Sequence, residues 1–365
     1  MRILILNWRC PRNPRAGGAE LVTFEVARRF VQWGHSVEWF AATYAGASPE
    51  EDIEGVRILR SGRQWTVHWH AFRRYRRRLR ANFDAVIDEV NTIPFFTGLW
   101  ADVPRFMLIH QLAREVWWYE SPFPFSALGF LLEPIYLRLY RNFPVLTVSV
   151  STQQDLIKMG FVGPITIVPE GIEPITEVSR LKAANPTFLY VGRLAPSKRV
   201  NDIVLAFARF HESFASGQLW LVGTGSVKYT RRLIALVDKL DIGPNVRFFG
   251  HVPAEEKHRL MAAAHGLVMA STREGWGLVV TEANACGTPA VVYDVPGLRD
   301  AVRHEKTGLV VKVSPAALAG GMTRLISDPE LYRRLAIGAS KWSREFSFDK
   351  SAAAIGKVLN CVPAP

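Results

Sequence analysis

Two acids, Glu274 and Glu282, bracket a Gly-Trp-Gly turn within REGWGLVVTEANACGTP, residues 273–289. Gly275 and Gly277 let the backbone approach a ligand closely. The apolar run that opens with Leu278 and Val279 predicts a helix beginning near Gly277. Its first N–H groups and positive dipole end suit an anion, a phosphate above all. Helical side chains lean toward the N-terminus, so the Glu282 carboxylate returns to the end where Glu274 lies. A carboxylate repels phosphate, and its fitting partners are hydroxyl donors on a ribose or a sugar. Phosphate beside hydroxyls is the chemistry of a nucleotide-sugar. A plainer reading makes Glu274 an acid favoured by the helix dipole and Glu282 an exposed helix residue. The apolar neighbours Leu278, Val279, Val280, Ala283 and Ala285 argue instead for burial, where an unpaired acid is costly.

YVGRLAPSKRV places Arg193 and Lys198 in the loop leaving a strand. Such a pair suits a diphosphate, because Arg binds in a bidentate way and Lys adds a mobile point charge. Taken alone they read rather as solvated loop cations, common in a chain with 45 Lys plus Arg. His110 closes RFMLIH, and Gly17 and Gly18 stand in GGAE at the start of the first helical pattern. In isolation these are a satisfied histidine at a strand end and an ordinary tight turn.

The elements that must position these residues alternate between strand and helix. RILILN, AELVTFEVARRFVQWG and SVEWFAA give strand, helix, strand, and FDAVIDEV, RFMLIH and VLTVSV continue the strands. A Pro-rich stretch, ITIVPEGIEPI, marks a boundary near residue 172. TFLYVG, QLWLVGTG, NVRFFG, GLVMAS and PAVVYD then build a second series of strands. The expected fold is α/β, with two doubly wound sheets facing across a cleft, and ligands at the carboxyl ends of the strands. The expected domains are 1–172, 173–342, and a closing helix within 343–365.

At 365 residues and 48% hydrophobic, the chain is long enough to bury two cores. The opening MRILILNWRCP has only six uncharged residues between Arg2 and Arg9, so it reads as a strand and not as a signal peptide. FPFSALGFLLEPIYLRLY is interrupted by Glu133, Pro134 and Arg138 before it reaches the length of a bilayer span. Cys10, Cys286 and Cys361 are too far apart for a zinc cluster or a disulfide framework, as expected in a reducing cytoplasm. A net charge of +12 predicts attraction to a polyanion, whether nucleic acid, anionic lipid or phosphorylated substrate.

The E-x7-E arrangement from Glu274 to Glu282, with VGRLAPSK, LVGTGS, FFGHVPAEE and GGAE, resembles the retaining GT-B glycosyltransferases of family 4. The resemblance covers nearly the whole chain and is most specific in its second half. It implies two Rossmann-like domains, with the nucleotide-sugar held mainly by the C-terminal one. It also implies that the last helix, FSFDKSAAAIGKVLN, returns to the N-terminal domain. Arg193 and Lys198 would hold the diphosphate, Glu282 the ribose, and Glu274 the donor sugar. The N–H groups of Trp276, Gly277, Leu278 and Val279 would surround sugar and phosphates, and Phe249 to Val252, with His251, would flank the base. Gly17 and Gly18 would close over the phosphates, and His110 would lie near the anomeric carbon. The chain departs from the family at Trp276, where Phe is usual, and at VPEGIE, where VPNGVD-like runs are common. These departures bear on the acceptor side and on the hinge.

Transfer from a diphosphate requires stabilising the charge on the leaving group. Arg193, Lys198 and the helix end supply this without a metal, and no cofactor is expected. Retention comes from the resemblance. A front-face path, in which the leaving phosphate accepts the acceptor's proton, is expected because no second carboxylate is placed as nucleophile. RQWTVHWHAFRRYRRRLR mixes Trp65, Trp69 and Phe72 with Arg73, Arg74, Arg76, Arg77, Arg78 and Arg80. It reads as contact with an anionic membrane or as a solvated helix. The expected enzyme is a cytoplasmic, peripherally membrane-associated hexosyltransferase using a UDP- or GDP-type sugar. Its acceptor would be a glycan or lipid-linked molecule of polysaccharide or glycolipid synthesis. Alternatives are a sugar-nucleotide epimerase of the same fold and a nucleic-acid-binding protein acting through the arginine segment.

Overall fold

The computed structural model describes residues 1–76, 83–175 and 181–362. Contacts divide the chain into two units. The first comprises Met1–Arg114, Ala127–Gly171 and Ser347–Pro365; the second comprises Glu115–Ser126 and Ile172–Phe346.

The first unit holds β1 (Arg2–Leu6), β2 (Ser36–Ala41), β3 (Glu50–Ile53), β4 (Val56–Arg60), β5 (Ala85–Glu89), β6 (Arg105–Ile109), β7 (Val145–Thr147) and β8 (Ile165–Ile167). They line up as β3-β4-β2-β1-β5-β6-β7-β8, and only β3 runs antiparallel to its neighbour. Ile3, Leu4, Ile5 and Leu6 are all buried, as a strand covered on both faces requires. On one face the helix Gly18–Gln32 sets Val26, Ala27 and Phe30 into the same core as Ala352, Ile355 and Leu359 of the helix Phe348–Leu359. Ser351 ties that closing helix down, donating to the Pro169 carbonyl at 2.5 Å and accepting from the Gly171 N–H at 3.0 Å. Strand order reverses beside β1, so the carboxyl ends of β1 and β5 flank a switch point.

The second unit holds β9 (Thr187–Val191), β10 (Gln218–Val222), β11 (Val246–Gly250), β12 (Gly266–Met269), β13 (Ala290–Tyr293) and β14 (Gly308–Val311). Their order is β11-β10-β9-β12-β13-β14, parallel throughout. The reversal falls at β9, so the loops leaving β9 and β12 flank the second switch point.

The strands expected from apolar runs are present. The hairpin β3–β4 adds an edge whose polar EEDI strand carries no hydrophobic signal, and β8 and β14 complete the two sheets. VLTVSV yields a strand of three residues only, because the Ser149 hydroxyl accepts the Thr152 N–H and starts the helix Val150–Lys158. All three cysteines are buried, and none forms a disulfide. Among the described residues no helix is long and apolar enough to cross a membrane.

Candidate active site

In the second unit, β9 runs into the Arg193 loop and the short turn Pro196–Lys198, while β12 runs into the loop that carries Ser271 and Glu274. Because the strands are parallel neighbours, both loops leave the same end of the sheet. The Thr272 N–H donates to the Ser197 carbonyl at 2.8 Å and joins them. Lys198 Nζ lies 2.5 Å from Glu274 Oε1, and the same oxygen accepts from Ser271 Oγ at 2.6 Å. The two charged side chains are 20% and 12% exposed, so the pair is substantially shielded from water. Arg193 is different. Its side chain is 68% exposed and reaches Glu120 Oε2 only at 3.7 Å, a pairing worth little in water. Glu120 also accepts from the Ser197 hydroxyl. Arg193 is therefore open to an anion, whereas Lys198 is already paired with Glu274.

Two glycines shape the turn. Gly277, at φ +104°, precedes the helix Leu278–Ala285; its carbonyl accepts the Val280 N–H at 2.8 Å, which leaves the N–H groups of Leu278 and Val279 at the helix start. Gly297, at φ +82°, lies so close that a Cβ there would stand 2.3 Å from the Glu274 carbonyl oxygen. The Glu274 N–H donates to the Pro296 carbonyl at 3.0 Å, so this segment fixes the Glu274 backbone.

Glu282 lies farther along the helix Leu278–Ala285, half-buried. Lys257 Nζ, from the helix Ala254–Ala263, sits 2.8 Å from both of its carboxylate oxygens. The acid is oriented by a cation, which resolves the cost of burying it. Lys257, Ser271 and Glu120 were not singled out in the sequence. The Trp276 ring is 8% exposed, donates to Thr281 Oγ1 at 2.9 Å and packs 5.1 Å from Phe346. Its side chain serves packing rather than an acceptor surface. Gly275, Leu278 and Val279 are half-buried beside it. Exposed His251 and half-buried Val252 follow β11, two strands from β9. Phe249 before them lies under Arg247, 4.4 Å from the ring centre.

The first unit gathers a second cluster at the carboxyl ends of β1, β5 and β6. His110 follows β6, with Nδ1 at 2.7 Å from Glu170 Oε1 and Nε2 at 3.4 Å from Glu89 Oε1. All three residues are buried. Burial opposes a charged ring, but the two carboxylates outweigh it and hold the His110 pKa at about 10. Burial in turn pushes the Glu89 carboxyl up, while the bond to His110 draws it back. Glu20, also buried, accepts from Arg9 Nε at 2.8 Å, Asn91 Nδ2 at 2.7 Å and the Gly17 N–H at 2.7 Å. The Gly17 N–H at the start of the helix Gly18–Gln32 is thus taken up within the chain, while Gly17 and Gly18 themselves are exposed.

The helix Val67–Arg74 turns Val67 and Ala71 inward, with Tyr75 beyond its end also buried, and exposes Trp65, Trp69, Arg73 and Arg76, while Arg74 is half-buried. Arg77, Arg78 and Arg80 lie outside the described residues. Among the described residues, no group of three or more His, Cys, Asp and Glu is placed to hold a metal ion.

Two family models match. Glycosyltransferase Family 4 covers residues 16–175, and Glycosyl transferases group 1 covers residues 171–342. A stretch of 179 residues, 47% of this chain, is 35% identical to a D-inositol 3-phosphate glycosyltransferase of Streptomyces bingchenggensis, and spans only 39% of that relative's length. Among solved structures, sucrose-phosphate synthase of Thermosynechococcus elongatus superposes with a TM-score of 0.81 at 21% identity over 98% of both chains. HepE of Anabaena, solved in complex with UDP-glucose, does so with a TM-score of 0.75 at 18% identity, over 99% of this chain and 100% of that one. Two Rossmann-like parallel sheets of the GT-B kind, matched along 16–342 by both halves of one enzyme family, place the chain in a family: it belongs to the group 1 glycosyltransferases of family 4.

Proposed function

We propose that the chain transfers a hexosyl unit, with retention and without a metal, from a nucleoside diphosphate sugar of the UDP or GDP type. The acceptor we propose is a glycan or a lipid-linked molecule presented at a membrane. The observation that carries this reading is the Lys198–Glu274–Ser271 contact beside the start of the helix Leu278–Ala285. It sets a cation and helix N–H groups for phosphates next to an acid for sugar hydroxyls. Arg193 and Lys198 neutralise the leaving diphosphate, and Glu282, steadied by Lys257, receives the ribose hydroxyls. Glu274 already accepts from Lys198 and Ser271 on one oxygen, which favours contact with a sugar hydroxyl over attack as a nucleophile. The leaving phosphate then takes the acceptor's proton on the face from which it departs. We propose for His110, charged between Glu89 and Glu170, a part in orienting the sugar.

The experiment is product analysis by NMR on a panel of nucleotide-sugars in chelator, with and without simple glycoside acceptors. Transfer or slow hydrolysis that releases an α-configured sugar from an α-linked donor, lost in Glu274→Ala, supports the reading. Epimerised nucleotide-sugar formed without any acceptor would replace it with the epimerase.

A further inference from the structure

The helix Phe125–Leu137 and the turn Arg138–Tyr140 after it carry an apolar stripe that the site described above does not use. Leu128, Leu131, Leu132, Ile135 and Leu139 are 53%, 65%, 41%, 58% and 43% exposed. Their spacing of three, four, seven and eleven residues from Leu128 puts them on one face over consecutive turns. The opposite face is fastened to the first unit. Glu133, 2% exposed, accepts the backbone N–H groups of Ala113 and Arg114 at 2.6 and 2.7 Å. Tyr136 donates to the Thr92 carbonyl at 2.6 Å, and Leu137 and Tyr140 are buried. The exposed aliphatics are thus presented on a seated helix and are not the frayed side of a loose one. A contiguous stripe of this kind marks a contact surface.

Its composition points to lipid. Leucine is under-represented among the residues that dominate protein interfaces, whereas a Leu/Ile face edged by Arg is the pattern of a helix lying in a headgroup layer. Arg138 and Arg141 are exposed at the end where Leu139 lies, and the chain as a whole carries +12. That charge complements anionic headgroups. We propose that the stripe Leu128–Leu139 is the surface by which the first unit docks on an anionic bilayer, with Arg138 and Arg141 meeting lipid phosphates. The proposal rests on the reading of a membrane-presented acceptor and assigns the contact to this helix rather than to the arginine segment Arg73–Arg80.

The test is co-sedimentation of the full chain with vesicles of 30% phosphatidylglycerol in phosphatidylcholine, against pure phosphatidylcholine. Wild type is expected to bind the anionic vesicles. Leu131→Glu/Ile135→Glu, on exposed positions and with an unchanged thermal melt, is expected to lower partitioning at least tenfold. Arg138→Ala/Arg141→Ala is expected to lower it about fivefold per arginine at low salt. Full binding by the Leu131/Ile135 variant, with loss in Arg73→Glu/Arg74→Glu/Arg76→Glu, would overturn the assignment. So would absence of vesicle binding by wild type, or a dimer in light scattering that the Leu131/Ile135 variant dissolves. Nucleotide-sugar turnover measured without vesicles reports separately on the enzymatic reading. If turnover is absent while vesicle binding follows the stripe, that reading fails and the docking surface stands.

Discussion

Replacing Lys198 by Met removes the ammonium and keeps most of the stem. Two consequences are separable. Glu274, 12% exposed, is left with Ser271 as its side-chain donor, and losing a charged partner of a partly buried acid costs about 1–3 kcal/mol. For a unit of this size each kcal/mol lowers Tm by roughly 2–4 °C, so a fall of several degrees is expected. A phosphate also loses a charge-assisted hydrogen bond worth about 1.5–3 kcal/mol, a roughly 10- to 150-fold weaker Kd. The double variant Lys198→Met/Glu274→Gln separates the two effects, because removing the orphaned charge restores stability and leaves phosphate affinity impaired. Differential scanning calorimetry reads the first effect and titration calorimetry with the cognate nucleoside diphosphate, in chelator, reads the second. If Lys198→Met binds that nucleotide within twofold of wild type, the assignment of Lys198 to the phosphates is wrong, whatever happens to Tm.

Three further outcomes are expected. The folded-state pKa of His110, about 10, lies above the roughly 6.5 of an unfolded chain. Its contribution to stability is therefore complete below about pH 6.5 and is lost as pH rises through about 10. Ring carbon shifts in a 13C-histidine NMR titration will show a protonated ring at pH 7.5, and Glu170→Gln will bring its pKa down; a neutral ring at pH 7.5 in wild type contradicts this. Gly297→Ala, at φ +82° with its Cβ against the Glu274 backbone, should destabilise by about 1–3 kcal/mol in chemical denaturation, and an unchanged midpoint would refute the strain argument. Lys257→Ala, by freeing the Glu282 carboxylate, should weaken nucleoside diphosphate binding roughly 2- to 10-fold, and calorimetry showing no change would detach Lys257 from the site.

Much of the fold was legible because strands buried on both faces write themselves as apolar runs. RILIL and TFLYV, each with all or nearly all residues buried, needed no tertiary information. EEDI did not announce itself, since an edge strand borrows its partner's hydrogen bonds and needs no apolar residue. At the candidate site, spacing on one loop and one helix singles out Glu274 and Glu282, and the family resemblance adds Lys198. Their partners could not: Lys257 stands 25 residues from Glu282 in sequence, and only helix packing brings them together. Glu170 was visible as a departure in VPEGIE, yet its place beside His110, 60 residues away, follows from sheet order. FDAVIDEV held a signal that went unread, because two acids closing an apolar strand, Asp88 and Glu89, must be buried and therefore partnered. Trp276 shows the opposite limit: its burial under Phe346 depends on residues 70 positions downstream.

The most direct test of the central claim, that the second unit holds a nucleotide-sugar through Lys198, Glu274 and Glu282, is a thermal-shift panel. UDP, GDP, ADP and their sugars are compared on wild type and Glu282→Ala in chelator. A ligand at 100 times its Kd stabilises by about 2.7 kcal/mol, a rise of several degrees. The account predicts that one base raises the melting temperature of wild type and does not raise that of Glu282→Ala. A wild-type melt unmoved by every nucleotide, or a shift that survives intact in Glu282→Ala, would contradict it.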